Sequence, residues 1–384
     1  MRLSLPERVG FVPRLAALYA GVFLFSGMQL PFFPVWLKAK EVDPALIGVI
    51  VAMPMLARVV AIPLAAREAD RRDAVRMAIL LAGWASVFTF ILVGLSAGSA
   101  AILVSYAVAA LVYAPVLPLT ETYALKGLAQ RGRAYGPVRL WGSAAFIAGN
   151  FVGGFAADAL PAYELVWLMA LALALVALAG TALQPQSTAQ AEATAVQGPL
   201  WRDRGFLAVL AAASLIQASH AVFYGFSALQ WRSDGLSGGA IAALWALGVI
   251  AEMVLFAFSG RLRLAPTALL LVGASGAVLR WSAMALDPPA LALPFLQLLH
   301  ALSFGATHLG ALTYVARRAG AGQAATAQGH LAIALSAAMG IAAALSGVLF
   351  SSFGAASYAA MSLAAIAGGA CALVAHRRVA LMPA

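Results

Sequence analysis

A stripe of polar and aromatic side chains crosses an otherwise apolar stretch of the sequence, LLHALSFGATHLGALTYVAR at residues 298–317. Gln297, His300, Phe304 and His308 are spaced 3, 4 and 4 residues apart, so a helix would place them on one face. Unpartnered polar groups are costly in hydrocarbon, and this face must therefore turn toward protein or water. Because imidazole exchanges protons near neutral pH, the stripe is a candidate lining of a proton or solute pathway.

Four charged residues lie within or at the ends of other apolar stretches. Glu121 follows two prolines in APVLPLTETYAL, and Arg139 begins the next stretch in YGPVRLWGSAAF, so that the two side chains can face each other. Glu252 in LWALGVIAEMVLF and Arg280 in VLRWSAMAL lie deeper. Ionisable groups inside a membrane are candidate functional residues because they must be paired or neutral.

Structural roles remain open for both pairs. Glu121 is alternatively an interfacial acid and Arg139 a cytoplasmic anchor. Glu252 and Arg280 alternatively hold two helices together, or Arg280 extends to the outer interface beside Trp281. The candidate partners of Glu252 are Arg280, His300 and His220.

A second set of polar residues repeats the spacing of the first stripe. Gln217, His220 and Tyr224 are again 3 and 4 residues apart in an apolar stretch. We expect this face also to line the pathway.

The composition is that of a membrane protein with many spans. Of 384 residues, 63% are hydrophobic and 10% are charged, whereas soluble domains are about half apolar and about a quarter charged. A span needs about 20 apolar residues. Twelve spans are predicted, at 12–36, 45–66, 75–96, 100–125, 138–158, 162–183, 205–229, 238–259, 265–285, 290–315, 323–350 and 355–375. The first is too long for a signal-peptide core and is expected to stay in the mature protein.

The distribution of basic residues predicts the orientation. With the N-terminus inside, 19 of the 24 Lys and Arg residues lie on the cytoplasmic side, Lys38, Lys40 and Arg232 lie outside, and Arg58 and Arg280 lie within spans. Basic loops stay in the cytoplasm, so both termini are predicted to be cytoplasmic. The net charge of +10 is therefore a topology signal, and nucleic acid is not an expected partner.

A polar segment divides the chain into two halves. QPQSTAQAEATAVQG at 184–198 is the longest run of polar and small residues and predicts a flexible linker. We therefore expect a six-helix bundle at residues 1–183, a cytoplasmic linker at 184–201 and a second six-helix bundle at 202–384. The loop between the second and third spans holds Asp70 and Arg71, which are candidate gating residues, with a solvated charge run as the alternative.

Motifs for phosphate binding and for metal catalysis are missing from the sequence. It has no phosphate-binding loop and no His-Glu-x-x-His, and its single cysteine, Cys371, lies in the last span. Two histidines eight residues apart, without Cys or carboxylate on the same helix, do not define a metal site. We expect no enzyme, no metal and no cofactor, which leaves transport driven by an ion gradient.

Several blocks of the sequence resemble the major facilitator superfamily. PLTETYAL, YGPVRLWGSAAFIAG, QASHAVFYGF, LWALGVIAEMVLF, LRWSAMAL and LQLLHALSFGATHLGALTYVAR are similar to the 3-phenylpropionate transporter group, relatives of lactose permease-type proton symporters. The resemblance covers nearly the whole chain, although Ala66 and Glu68 replace glycines of the family's loop after the second span. It implies an all-α membrane protein of twelve transmembrane helices in the bacterial cytoplasmic (inner) membrane.

The resemblance also implies residue roles. Glu121 and Arg139 match the acid and arginine that bind substrate, Glu252 matches a substrate and coupling glutamate, and Arg280 with His300 matches a coupling pair. One departure is Ser303, which stands where the family's proton-carrying glutamate is expected. Phe146 replaces the aromatic that stacks on a sugar.

The sequence therefore predicts a proton-coupled symporter, monomeric in the bilayer, for a small organic solute. An aromatic carboxylic acid is the favoured substrate, with a sugar or nucleoside symporter and a non-transporting sensor or scaffold as alternatives. The predicted substrate-binding residues are Glu121, Arg139, Phe146, Gln217, His220, Tyr224 and Phe304, with Phe23 and Phe25 as further apolar contacts. The predicted proton-coupling residues are Glu252, Arg280, His300 and His308.

Overall fold

The fold is helical wherever the structure describes it. The computed structural model describes residues 10–72, 74–185, 200–261, 264–319 and 324–380. Within these ranges every regular element is a helix and there is no strand. A helix satisfies its backbone N–H and C=O groups internally, which is the condition that hydrocarbon imposes on apolar segments of this length.

Fifteen α-helices are numbered here in chain order along the described ranges. They are α1 (Phe11–Ala39), α2 (Pro44–Arg71), α3 (Val75–Leu95), α4 (Ser99–Tyr113), α5 (Val116–Ala129), α6 (Tyr135–Ala159), α7 (Leu165–Thr181), α8 (Arg204–Ala218), α9 (Ala221–Ser233), α10 (Gly238–Phe258), α11 (Pro266–Met284), α12 (Leu293–Leu298), α13 (Thr307–Arg318), α14 (Ala324–Phe353) and α15 (Tyr358–Ala380). A π-helical turn, Ala301–Ala306, lies between α12 and α13.

Eleven helical stretches of the described chain are long and apolar enough to cross a membrane. The last, Thr326–Arg378, has 53 residues and includes both α14 and α15, which are separated by a short 3-10 turn at Gly354–Ser357. The prediction of an all-α membrane protein is confirmed. The predicted count of twelve differs from these eleven stretches because only this short turn separates α15 from the preceding α14.

Three of the predicted spans are interrupted in the structure. The fourth breaks between α4 and α5 at Pro115, which has no N–H to continue the helix. The seventh breaks between α8 and α9 at Ser219 and His220, where both side chains bond carbonyls of the preceding turn, Ile216 at 2.6 Å and Gln217 at 3.1 Å. The tenth contains the π-helical turn, a feature that inserts one residue into the helical register.

The described residues fall into two compact units. One contains those at 1–40 and 60–189, and the other those at 41–59 and 190–384. The first therefore holds α1, the later part of α2 and α3–α7. The second holds the beginning of α2 and α8–α15.

Glycines bring α1 and α6 close together in the first unit. A Cβ on Gly153 would lie 2.6 Å from the ring of Phe32, and one on Gly149 would collide with the carbonyl oxygen of Leu24. Small residues allow helix backbones to approach in this way. These two glycines therefore allow close packing of α1 against α6.

Glycines likewise bring α10 against the interrupted tenth span in the second unit. A Cβ on Gly248 would lie 3.3 Å from Cβ of His300, and one on Gly305 would lie 3.3 Å from Cγ of Glu252. The polar side chains of both helices therefore meet at short range.

The second unit also joins the start of α8 to the end of α13. Asp203 is the N-cap of α8 and accepts hydrogen bonds from the backbone N–H groups of Gly205 at 2.8 Å and Phe206 at 3.2 Å. The guanidinium of Arg318 forms an ion pair with the same carboxylate. Partial burial opposes ionisation of Asp203, but the hydrogen bonds from Arg318 and Phe206 outweigh it and hold its pKa below the ordinary value.

Candidate functional site

The first unit holds a carboxylate that accepts from three side chains. The hydroxyl of Tyr19 donates to Oε2 of Glu121 at 2.8 Å, and the hydroxyl of Tyr135 donates to the same oxygen. Nε of Arg139 lies 3.5 Å from Oε1. Two hydroxyl hydrogen bonds and one long ion pair hold Glu121 in place. Because the ion pair is long, it engages the positive charge of Arg139 only weakly.

Arg139 has its guanidinium against an aromatic ring and remains accessible. Its Cζ lies 4.1 Å from the ring centre of Phe23, and its side chain is 32% exposed. Gly142 leaves room for both groups, since a Cβ there would lie 2.7 Å from the Phe23 ring and 2.8 Å from Nη1 of Arg139. The contact to Glu121 uses Nε, and a guanidinium can bind a second carboxylate through its two terminal nitrogens in a planar fork.

Local spacing builds this site from three helices. Tyr19 precedes Phe23 by four residues on α1, and Tyr135 precedes Arg139 by four residues on α6, so each pair shares a helix face. Glu121 comes from α5. The sequence interpretation missed Tyr19 and Tyr135, although their four-residue spacing from Phe23 and Arg139 was a usable signal.

The predicted apolar contacts of this unit differ in accessibility. Phe146 is half-buried, and its carbonyl accepts from Nδ2 of Asn150 at 2.9 Å. Phe25 is 3% exposed and packs edge-on against Phe90 and Tyr113. The prediction that Phe25 contacts a solute is not supported in this conformation, because its ring belongs to the core.

The second unit is organised around Arg280, which is fully buried. Nη2 donates to Oε1 of Gln297 at 2.6 Å, and Nη1 lies 3.0 Å from Nδ1 of His300 and 3.5 Å from Oγ of Ser303. The alternative in which Arg280 extends to the outer interface is wrong. Its donors are directed inward to polar groups of the tenth span.

Two aromatic faces accompany this buried charge. The guanidinium carbon of Arg280 lies 4.5 Å from the ring centre of Phe223 and 4.5 Å from that of Trp281. The indole N–H of Trp281 donates to Oγ of Ser219 at 2.8 Å, which fixes the ring. Cation–π contact partly replaces hydration of the guanidinium, and no carboxylate of the described residues forms a direct ion pair with it.

His220 lies at the break between α8 and α9 and is fully buried. Its Nδ1 lies 3.1 Å from the carbonyl oxygen of Gln217, and its Nε2 lies 3.1 Å from Oγ of Ser303. Ser303 therefore links His220 to Arg280. The structure brings these residues together although 83 positions of sequence separate His220 from Ser303.

Glu252 approaches this network through His300. Its Oε2 lies 3.5 Å from Nε2 of His300, and its side chain is 19% exposed. His300, one of the three partners that the sequence left open, makes this ion-pair contact. His300 thus stands between the arginine and the glutamate.

The remaining predicted residues flank the network. The rings of His300, Phe304 and His308 stack in a column with centres 5.1 and 5.9 Å apart. Tyr224 stacks on His220 at 5.7 Å. Gln217 is 5% exposed and donates to the carbonyl of Phe304 at 3.4 Å, so it holds the two interrupted spans together in this conformation.

The predicted gate is described only in part. The side chain of Asp70 lies outside the described residues. Arg71 is exposed and forms a 3.0 Å ion pair with Glu68 on its own helix, and Arg72 pairs with the same acid. The described contacts of Arg71 are those of a solvated helix end. The described residues contain no group of three His, Cys, Asp or Glu side chains arranged for a metal ion.

Comparison with known proteins gives three matches over most of the chain. The model of the MFS_1 like family matches residues 13–360. The chain is 32% identical over 375 residues to the probable 3-phenylpropionic acid transporter of Escherichia coli (strain K12), covering 92% of this chain and 94% of that protein. It is 27% identical over 309 residues to the maltose permease of Geobacillus stearothermophilus, covering 78% of each.

The fold resembles that of solved transporters. The crystal structure of the nucleoside transporter NupG superposes with a TM-score of 0.81 at 17% identity, covering 96% of this chain and 99% of the other. The D-xylose-proton symporter gives a TM-score of 0.72 at 12% identity, covering 95% and 97%. At these identities the likeness concerns the fold alone.

Proposed function

Because this chain belongs to the MFS_1 like family and is a multi-pass membrane transporter, we propose that it takes up a small organic acid together with a proton. Its relatives and its fold are those of transporters and not of enzymes. The proposed substrates are aromatic monocarboxylates, with a short chain between ring and carboxylate.

The observation that carries this proposal is the state of Arg139. It is one-third exposed, and its contact with Glu121 is a single long one through Nε. A substrate carboxylate would bind its two terminal nitrogens, and a substrate ring would find apolar surface at Phe23 and Phe146. Arg280 is less suited to this role, because it is fully buried and donates to partners within its own unit.

The relative at 32% identity supports the substrate class, since it is named as a probable 3-phenylpropionic acid transporter. Proton coupling is supported by a network in the second unit. In it His300 contacts the buried Arg280, Glu252 contacts His300, and Ser303 links His220 to Arg280. Buried groups of this kind are costly to retain unless they bind or relay ions.

The membrane arrangement is part of the proposal. We place twelve spans in the bacterial inner membrane with both termini in the cytoplasm, six in residues 1–183 and six in 202–384, joined by the linker at 184–201. A single 53-residue helix would be about 80 Å long, far beyond a bilayer, which supports counting α14 and α15 as two spans. The protein would act as a monomer, without a cofactor, and Asp70 and Arg71 would act at the cytoplasmic gate.

A sugar or nucleoside symporter is the second candidate. Glu121 with the hydroxyls of Tyr19 and Tyr135 offers donors and acceptors that suit substrate hydroxyl groups. The named maltose permease among the relatives favours the same class. Under this alternative, sugars and not aromatic acids would compete for uptake.

The test is proton uptake into sealed proteoliposomes that contain a pH-sensitive dye. We expect internal acidification when 3-phenylpropionate is added outside, and no response to maltose, xylose or uridine. Arg139→Lys should lower uptake at least tenfold, because an ammonium cannot bind a carboxylate in a two-pronged fork. Arg133→Lys, at an exposed arginine just before α6, is the matched control. Acidification by a sugar or nucleoside would select the second candidate, and an unaffected Arg139→Lys variant would remove the carboxylate clamp.

A further inference from the structure

The hydrogen bonds of the second unit identify the group that binds the transported proton, which the proposed function leaves open. Resting on that function, we infer that Glu252 is the proton carrier, whereas His300 and His220 remain neutral, each with its one proton fixed on a specific nitrogen. His300 is then a positioning residue between Glu252 and Arg280.

The protonated nitrogen of His300 follows from its partner. A guanidinium can only donate, so Nδ1 of His300, 3.0 Å from Nη1 of Arg280, must accept and carries no proton. The proton of the neutral ring is therefore on Nε2, which faces Oε2 of Glu252 at 3.5 Å. A second proton on Nδ1 would break the bond to Arg280 and place two cations in contact.

The protonated nitrogen of His220 follows in the same way. A backbone carbonyl can only accept, so Nδ1 of His220 donates to Gln217 and Nε2 carries no proton. Nε2 must accept from the hydroxyl of Ser303, and the oxygen of that hydroxyl accepts from Nη1 of Arg280. A second proton on this ring would make Nε2 a donor, so that Ser303 would accept from two cations in a fully buried position.

Glu252 differs from both histidines because its chemistry allows both protonation states. Its carboxylate lies 3.5 Å from Nε2 of His300, and a carboxyl group can bind or release a proton while that contact remains. The ionisable groups around it include His300 and His308 of the tenth span and Tyr224 of α9, with Arg280 of α11 beyond His300. At 19% exposure, it is also the more accessible group, because His300 is 7% exposed and His220 is fully buried.

This arrangement explains how Ser303 fits a coupled transporter. The Ser303 hydroxyl cannot carry the transported proton. It accepts from Nη1 of Arg280 and donates to Nε2 of His220, and so connects these two residues. The proton then enters from water onto the Glu252 carboxylate and leaves it again to water, with no other bond made or broken. His300 transmits the charge of Glu252 to Arg280 through one fixed ring.

The test compares non-ionisable replacements that preserve hydrogen bonding. In His300→Gln, the amide oxygen can accept from Arg280 and the amide nitrogen can donate to Glu252. His220→Gln keeps an acceptor for Ser303. Each variant is assayed in proteoliposomes for pH-driven accumulation of labelled 3-phenylpropionate and, without a gradient, for exchange of label, and the ratio of the two is compared.

We expect Glu252→Gln to lower the ratio of pH-driven accumulation to exchange at least tenfold, to the ratio that is measured when no pH gradient is applied. Both histidine variants should retain accumulation above that value, at reduced rates. Glu164→Gln, an acid-to-amide change in the turn before α7, is the control. If Glu252→Gln still accumulated label against its gradient, the inference would be overturned. It would also be overturned if either histidine variant lost accumulation but kept exchange. Neither result would contradict symport by the unmodified protein. Absence of proton flux in the unmodified protein would instead contradict the proposed function.

Infrared difference spectroscopy detects a protonated carboxyl group directly, and a purely structural role of Glu252 would not produce a band that titrates with pH. We expect a protonated-carboxyl C=O band that titrates with pH in the unmodified protein and in Glu121→Gln but is missing in Glu252→Gln. A band that persists in Glu252→Gln and disappears in Glu121→Gln would assign the proton to the first unit and overturn the inference.

Discussion

The hydroxyl of Ser303 lies 3.1 Å from Nε2 of His220 and thereby joins the π-helical turn of one interrupted span to the break in another. Both residues are fully buried. If either partner were removed, the remaining buried polar group would therefore lack both its hydrogen-bond partner and water to replace it.

Removing the Ser303 hydroxyl should destabilise the protein. Ser303→Ala leaves Nε2 of His220 without its donor, and a buried unsatisfied acceptor costs about 1–3 kcal/mol. We expect a lower thermal unfolding midpoint in detergent for Ser303→Ala and a smaller change for Ser303→Thr, which keeps a hydroxyl. Equal midpoints for Ser303→Ala and the unmodified protein would show that this bond adds no stability.

Arg280→Lys should abolish proton-coupled accumulation although the positive charge is retained. An ammonium lacks the planar fork that reaches Gln297 and His300 together and packs between the Phe223 and Trp281 rings. We expect at least a tenfold loss of accumulation in proteoliposomes. Arg378→Lys, at an exposed arginine near the end of α15, is the control, and equal losses in both variants would contradict a specific role.

Gly142→Ala should weaken substrate binding without removing any functional group. The added methyl would lie 2.7 Å from the Phe23 ring and 2.8 Å from Nη1 of Arg139, so one of them must move. Loss of a cation–π contact is worth about 0.5–2 kcal/mol, which corresponds to a rise in KM of about 2- to 30-fold. Uptake measured against substrate concentration gives KM, and Gly136→Ala, where a Cβ meets nothing, is the control.

The ion pair of Asp203 and Arg318 should stabilise the protein at neutral pH and fail in acid. Because the pKa of Asp203 is lowered in the folded protein, its contribution is complete above its ordinary pKa of about 3.9 and is lost as pH falls through the lower folded value. Asp203→Asn keeps an N-cap but removes the charge. With Arg318 well exposed, the difference should be at most about 1 kcal/mol.

Thermal unfolding at pH 7, 5 and 3 measures this contribution. The midpoint of Asp203→Asn should lie below that of the unmodified protein at pH 7 and 5, and the two should converge toward pH 3. A gap that widens in acid would show that the folded-state pKa of Asp203 is raised instead.

Much of the candidate site could be predicted from residue type and depth alone. Glu121, Arg139, Glu252, Arg280 and His300 were recognised because charged or ionisable groups stand out in apolar stretches. The pairing of Glu121 with Arg139 followed from a short connection between their helices. Tyr19 was missed because its partner, Glu121, lies 102 residues away, and the four-residue spacing from Phe23 indicates a shared helix face but not a bond to that acid.

The sequence by itself determined that this is an all-helical membrane protein and where its apolar spans lie, because helix hydrogen bonds are local and hydrocarbon requires them. Only the tertiary structure decided which polar groups meet and which of them donate. Arg280 reaches His300, and His300 reaches Glu252, because glycines on neighbouring helices bring these three side chains together across long stretches of chain. The direction of each hydrogen bond depends on those partners, and so does the position of every proton in the network.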